Sequence, residues 1–414
     1  MREGKLNSIL VRTFLFFYYA GWALVFSFIP VYLRELGLSM GEIGSLSALS
    51  AFIGALIQTP IGSLSDKIKR RKPFIIFGLL INSLIYLLVF PKLNVYREFI
   101  FVYALSGLCT YTILTASSVL IVDLSISGEL GRDYASSRMW GSVGFLVSIL
   151  LSGMLPMLTS GRIMFITISA IFLLSALLVI FIKEPERKVN VLAPQMRGFR
   201  NLFLNKQLLN FLFFYFLYYT TLTSASSYVN LLVKSLGGSN RMVSFSYAMS
   251  SGIEIPFMFI MGSLSDRIGR RPLLVLASLA LPLRMLLYSI ALNPSHIIAI
   301  QSMHSVTFAV MVVVPIAYIN DIIHLEERGT AQGMFNMTTG FASALAPFLA
   351  GYIADFVGIS KMYLFLMLLA IVSSIWLICF IEESKGYEPL PKSKSNSLGI
   401  LLKIFSTPLC RREK

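Results

Sequence analysis

The sequence predicts an all-α membrane protein, with twelve transmembrane helices in two six-helix bundles related by pseudo-symmetry. Three features carry that prediction. Of 414 residues, 56% are hydrophobic and only 13% charged, against about a quarter charged in soluble domains, so a soluble fold has too little polar surface to cover the rest. Runs such as Phe74 to Phe90 and Met362 to Ile381 are long enough to cross a hydrocarbon layer, which takes about 20 helical residues; such spans must be helical because lipid offers unpaired backbone groups no partner. Finally, the chain nearly repeats itself. "GSLSDKIKRRKP" from Gly62 returns as "GSLSDRIGRRP" 200 positions on, and "FLFFYYAGW" from Phe14 returns as "FLFFYFLYY" 197 positions on.

Taken in order, the basic segment "MREGKLNSIL" leads into span one (10–33) with no small-residue cleavage site, so an uncleaved first span is expected. Span two (41–63) runs into the basic string Lys67 to Lys72, and span three (74–91) follows it directly. Spans four (97–124), five (136–158) and six (162–182) complete the first half. The polar, proline-containing stretch Lys183 to Lys206 is the only long linker. The order then repeats: span seven (207–233), eight (241–262), the second basic string, nine (273–292), ten (296–321), eleven (329–353) and twelve (361–381). The expected organisation is a first bundle over 1–183, a cytoplasmic linker over 184–206, a second bundle over 207–383 and a cytoplasmic tail over 384–414. That tail is either a short amphipathic anchor on the inner leaflet or a disordered extension.

Charge reports orientation. With the N-terminus inside, the N-tail, the loops on its side and the C-tail hold 26 of the 35 Lys and Arg, while the opposite loops hold 7. This bias fits the positive-inside rule and places both termini and both repeated strings in the cytoplasm of a cell-membrane protein. The net charge of +15 is therefore spread among loops by topology and implies no nucleic acid partner. Cys109, Cys379 and Cys410 are scattered and suggest neither a disulfide framework nor a zinc site. Duplicated units of this kind form the two rocking halves of transporters around a central cavity.

The string Gly-Ser-Leu-Ser-Asp-(Lys/Arg)-Ile-x-Arg-Arg, between spans two and three and again between eight and nine, resembles the signature loop of the major facilitator superfamily. The six-plus-six layout is similar to that family over essentially the whole chain. The first copy has Lys69 where the second has Gly269 and the family a glycine. Read from the residues, Gly62 and Gly262 let neighbouring helices approach, Asp66 and Asp266 are placed to cap or pair with a helix N-terminus, and the basic residues hold the loop at the anionic leaflet. The resemblance implies that these loops, with Arg70, Arg71, Arg270 and Arg271, latch the halves when the cavity faces outward. The alternative is a purely topological anchor.

Ionisable side chains deep within spans are costly and usually face a water-filled cavity. Asp123 stands near the inner end of span four and Arg138 near the start of span five in "YASSRMWGSVGF". Glu254 lies mid-span in "SSGIEIPFMF", Arg284 mid-span in "LPLRMLLYSI", and His304 within "QSMHSVTFAV". The stretches "SRMWGSVGF", "EIPFM" and "QSMHSVTFA" resemble the branch of the superfamily that holds lactose permease, nucleoside permeases and phenylpropionate-type permeases. Arg138, Arg284 and His304 match that branch's functional arginines and histidine; Glu254 resembles its span-eight glutamate less directly. Where the branch often has an acid one turn past the histidine, this chain has Thr307 and Phe308.

Burial alone favours a neutral Glu254, whereas a guanidinium within hydrogen-bond reach favours its carboxylate. Movement of Arg284 away from Glu254 is then a device for taking up a proton, with His304, near neutrality in its ordinary state, relaying the proton or binding the substrate. The plainer alternative is a structural ion pair clamping spans eight and nine. Asp123 and Arg138 are expected as a substrate-binding pair, or else as a clamp at the membrane edge; Asp321 and Asp355 read as structural and boundary residues. Tyr19, Trp22 and Tyr218 are candidates for stacking on a sugar or nucleobase, against simple packing.

The chain contains no phosphate loop of the Gly-x-x-x-x-Gly-Lys-(Ser/Thr) type and no His-Glu-x-x-His. The sequence therefore predicts no enzyme, cofactor or metal, but a monomeric secondary transporter working by alternating access on a small organic solute, a sugar, nucleoside or organic acid. Proton-coupled symport driven by the proton gradient is the first expectation, proton-driven export of sugars or amphipathic drugs the second, and a non-transporting receptor or scaffold the third.

Overall fold

The computed structural model describes residues 2–124, 130–159, 161–184, 199–324 and 327–384. Among these every regular element is helical and no strand occurs. The first half comprises α1 (Arg2–Glu35), α2 (Met40–Ile68), α3 (Lys72–Leu84), α4 (Tyr96–Asp123), α5 (Leu130–Met154) and α6 (Gly161–Phe181). A short helix, Phe199–Leu204, precedes α7 (Lys206–Ser235), α8 (Asn240–Ile268) and α9 (Arg270–Ser289). Next comes α10, which begins at Pro294–Ile300 and continues through irregular turns into Val310–Ile322, and then α11 (Arg328–Val357) and α12 (Ile359–Phe380). Most of the expected linker, all but the first residue of the tail, and Cys410 lie outside the described residues.

Among the described residues, ten helices are long and apolar enough to cross a membrane. The other two long ones, α5 and α8, at 25 and 29 residues, are the helices that carry Arg138 and Glu254. They pack against each other across the two halves, which shelters their polar side chains from lipid as membrane burial requires.

Local chemistry sets the helix ends, and it repeats between the halves. Gly37 and Gly237, at φ of +93° and +82°, end α1 and α7 with the left-handed turn that glycine enters without steric cost. Asn205 and Ser239 cap α7 and α8 by accepting from the N–H groups of Leu208 and Met242. Prolines inside α1, α2, α8, α9, α10 and α11 are of the kind membrane helices accommodate, because neighbours re-satisfy the freed carbonyls.

The halves meet mainly along two helix pairs, α2 with α11 and α5 with α8, with a smaller contact between α1 and α7, and the two main pairs are closest at one end. A Cβ on Gly44 of α2 would stand 2.1 Å from the Pro347 carbonyl oxygen, and one on Gly351 2.4 Å from that of Met40. Toward the end carrying the repeated loops, a Cβ on Gly62 of α2 or Gly333 of α11 would meet nothing within 4 Å. In the same way Gly153 abuts Ser244 while Gly252, further along α8, faces open space. The helix pairs therefore diverge toward the basic loops, leaving a V-shaped molecule open at that end. Gly62 does not serve close helix approach in this conformation, contrary to the expectation from its small size; the Gly262 and Asp66 side-chain positions lie outside the described residues.

Candidate functional site

Between the halves lies a cavity of about 670 Å³, to which α1, α3, α4 and α5 contribute on one side and α7, α8 and α10 on the other. Its aromatic wall is built on α1, where Tyr19, Trp22 and Phe26 follow one another at helical spacing. Trp22 stacks on Phe26 with centroids 4.9 Å apart, and Phe26 meets Tyr247 of α8 edge-on at 5.7 Å. Hydroxyls and amides supply the polar remainder, among them Asn82, which donates to the Thr110 hydroxyl and accepts from that of Ser106.

Three titratable side chains other than tyrosine line this space: Arg138, Glu254 and His304. Arg138 holds its guanidinium 4.0 Å above the Tyr19 ring, a cation–π contact. Across the cavity, His304 Nε2 lies 3.6 Å from a Glu254 carboxylate oxygen, with the two side chains 12% and 15% exposed. Phe308 stacks on the imidazole at 4.9 Å and 16°, and the buried Nδ1 has no hydrogen-bond partner among the described residues. The turn that follows His304, Ser305–Ala309, is a π segment, and another, Ile85–Val89, follows Asn82; such widened turns recur at functional sites because they re-aim the side chains beside them.

The structure separates two pairs expected together. Arg284 does not meet Glu254: fully buried, it donates from Nη1 to Thr307 Oγ1 at 3.0 Å, from Nη2 to Gln301 Oε1 at 2.8 Å, and from Nε to the Tyr288 hydroxyl at 3.1 Å. All three acceptors are neutral, and the place one turn past the histidine is filled by the hydroxyl that receives Arg284. Asp123 is likewise not on the cavity wall with Arg138; its carboxylate lies 3.7 Å from Arg71 Nε at the loop end. Tyr218 is removed from the cavity too, wholly buried with its hydroxyl donating to the Thr307 carbonyl at 2.8 Å, whereas its neighbour Tyr219 faces the space.

At the loop end each half holds its own polar cluster. In the first, buried Arg71 donates to Ser65 and faces Asp123, while Glu184 accepts from the N–H groups of Arg71 and Lys72 at 2.5 and 2.7 Å. In the second, Arg270 donates to Ser265 at 2.9 Å and pairs with Asp321 at 3.1 Å, while Glu383 accepts from the N–H groups of Arg270 and Arg271 at 2.9 and 3.0 Å. Asp266 pairs with Arg270 and does not cap a helix. The glutamates that do cap, Glu184 and Glu383, were missed by the sequence reading, although each stands just past the last span of its half.

The two copies are one residue out of register. Arg71, not Arg70, does the work of Arg270; Arg70 is exposed, and Arg271 is spent on the carbonyls of Ile381 and Ile378. The cause is length: the first copy has one residue more, Ser65 to Pro73 against Ser265 to Pro272, and the two loops also turn differently at the residue before the doublet. Gly269 turns at φ of +96°, whereas Lys69, the one non-glycine residue with positive φ among those described, sits at +58°, the left-handed region that costs an L-residue about 1–2 kcal/mol.

A larger recess of about 800 Å³ lies between α2, α7 and α11, walled by Phe52, Phe213, Phe216, Phe341 and Phe348. Its lining includes no ionisable side chain, so the site chemistry belongs to the smaller cavity.

Comparison with known proteins bears on the family and the fold. The chain is 25% identical over 366 residues to the uncharacterized transporter YwbF of Bacillus subtilis (strain 168), covering 87% of this chain and 90% of that one. It is also 25% identical over 386 residues to the maltose permease of Geobacillus stearothermophilus, covering 90% and 94%. The solved structure of the nucleoside transporter NupG superposes with a TM-score of 0.81 at 15% identity, over 90% of this chain and 98–99% of that one in two structures whose lower score is 0.79, a likeness of fold. The model of the MFS_1 like family matches residues 9–382, and the chain, a multi-pass membrane transporter, belongs to that family.

Proposed function

We propose that this transporter moves a small organic solute, a sugar, nucleoside or organic acid, by proton-coupled symport through alternating access. The observation that carries this is the Glu254–His304 contact of 3.6 Å on the wall of a hydroxyl- and aromatic-lined cavity. A carboxyl group that touches an imidazole and faces the substrate space can exchange a proton with water in one orientation and hand it over in the other. The relatives' names, a maltose permease and a nucleoside transporter, support a solute of this size. With the basic loops and both termini in the cytoplasm of the cell membrane, the V is the inward-open state of a monomer driven by the proton gradient, without a cofactor.

In this reading the loop clusters around Arg71 and Arg270 unlatch in the inward-open state, each bonded within its own half, and meet when the cavity faces outward. Asp123 then serves the latch and Arg138 the solute. Arg284 acts on His304 from behind the wall, where Gln301 holds it, and reaches Glu254 only through that imidazole. The test is Glu254→Gln in proteoliposomes. Accumulation driven by a pH gradient should vanish while counterflow exchange persists; undiminished accumulation refutes the coupling role.

Export of amphipathic compounds is the second reading, favoured by the phenylalanine-walled recess between α2, α7 and α11, which provides an apolar berth between the halves. The direction of net flux in right-side-out vesicles under an imposed pH gradient separates the two.

A further inference from the structure

The cavity carries an excess of positive charge whatever its protonation state. Its lining holds one acid, Glu254, and one arginine, Arg138; a second arginine, Arg284, is buried behind Gln301 and His304 and bonded only to neutral acceptors. Two guanidinium groups, which stay charged in proteins, stand against one carboxyl. If Glu254 is ionised, one positive charge remains uncompensated. If Glu254 carries the coupling proton, two remain, and protonation of His304 only adds to them.

Of the two cations, Arg138 is the one left without an acceptor. No hydrogen-bond acceptor among the described residues reaches its guanidinium, which is held by the Tyr19 ring on one side and by α5 on the other, where a Cβ on Gly141 would lie 2.9 Å from Nη1 and 2.5 Å from the Tyr19 ring. Its charge acts on the Glu254 carboxyl, yet no ion pair joins the two among the described residues. A planar, fixed fork with unused donors is matched to a carboxylate, which it grips through two parallel bonds. The Trp22–Phe26 stack stands on the same wall, and Tyr247 closes it from the other half, giving a flat apolar face for a ring.

We propose that the solute is a small ring-bearing monocarboxylate, its carboxylate seated on Arg138 and its ring against Trp22 and Phe26. This rests on the reading of the cavity as the transport site. A single unpaired fork fits a monoanion. With Glu254 carrying the coupling proton, a neutral sugar or nucleoside would leave the Arg138 charge buried and unanswered once the cavity closes, a state that costs far more in a sealed site than in water.

The test uses purified full-length protein and matched probes: benzoate against benzamide, and glucuronate against glucose. At least one carboxylate should raise the melting temperature and support counterflow in proteoliposomes, and its neutral partner should bind about tenfold or more weakly, the difference a charge-assisted pair supplies. Arg138→Gln should erase that discrimination, whereas Arg138→Lys, which keeps the charge without the fork, should retain part of it; unliganded melting curves of both variants report whether they fold. A neutral probe that binds as well as its carboxylate, discrimination that survives in a folded Arg138→Gln protein, or failure of both carboxylates to bind overturns the assignment. The transport reading falls separately, only if no solute of any charge exchanges across the bilayer.

Discussion

The carboxylate of Asp355, at the end of α11, accepts from the backbone N–H groups of Gly41 at 2.7 Å and Met40 at 2.9 Å, the first turn of α2 in the other half. A boundary acid by sequence thus sits on a helix N-terminus, where charge and unpaired N–H groups attract a carboxylate. Around it, the Tyr228 hydroxyl lies 3.0 and 2.8 Å from the Met40 and Pro347 carbonyls, and Asn230 donates to the Ser27 carbonyl at 2.9 Å. This closes the end opposite the basic loops.

Asp355→Asn should weaken that closure. A charge at a helix N-terminus is worth about 0.3–1 kcal/mol, and up to about 2 where partly buried, so the closed population should fall by a factor of about 2 to 30. Spin-label distances across the opposite end should broaden toward longer values. An unchanged distance distribution would mean that the neighbouring Tyr228 and Asn230 contacts hold the closure alone.

Gly44→Ala tests the same closure by sterics. The added carbon would fall 2.1 Å from a backbone carbonyl oxygen and 2.4 Å from the Tyr228 hydroxyl, and backbone atoms have nowhere to move in a packed helix pair. The variant should fold and bind solute from the outer face but fail to exchange it. Wild-type counterflow rates from Gly44→Ala would show that the halves do not close on this glycine.

At the other end, Arg70 and Arg71 should differ sharply despite being neighbours. Arg71 is 3% exposed and bonded to Ser65 beside Asp123, so Arg71→Gln should cost about 1–3 kcal/mol, the penalty for stranding buried polar partners. Exposed Arg70→Gln should change stability by less than about 0.5 kcal/mol. Thermal melts in detergent report both; equal losses would contradict the one-residue register shift.

The sequence carried the fold further than it carried the grouping of the charges. Twelve spans and two related halves were legible because membrane burial demands long apolar runs and because duplication left matching strings. Arg138, Glu254 and His304 were legible as cavity residues because ionisable groups in spans are costly. The grouping of the charges was not: whether Glu254 meets Arg284 or His304 depends on helix rotation and on the π segment after His304, and neither leaves a pattern in residue types. Tyr218 and Tyr219 are adjacent on a helix with no clear polar face, so a rotation of about 100° decides which one enters the cavity. Arg71 takes the place of Arg70 because the first loop is one residue longer, Ser65 to Pro73 against Ser265 to Pro272, a difference that stands in the strings themselves. Glu184 and Glu383 were findable, since each follows the sixth span of its half.

Arg284 offers the last prediction, because its countercharge can be supplied. Thr307 Oγ1 accepts from Arg284 Nη1 at 3.0 Å in a fully buried setting, at the place where related permeases often carry an acid. In Thr307→Asp a carboxylate would meet the guanidinium directly and cancel one of the two positive charges that favour an anion in the cavity. Its side chain is close in size to threonine, so the packing around Tyr288 and Gln301 should survive and the melting temperature should hold or rise. Carboxylate affinity should drop by up to about tenfold, the scale of a charge acting through partly screened protein over several ångströms, while affinity for neutral analogues stays put. Titration of benzoate and benzamide against the variant measures both at once. Equal weakening of the two would locate the effect in a distorted wall instead of in the charge, and unchanged benzoate affinity would remove Arg284 from any part in holding the anion.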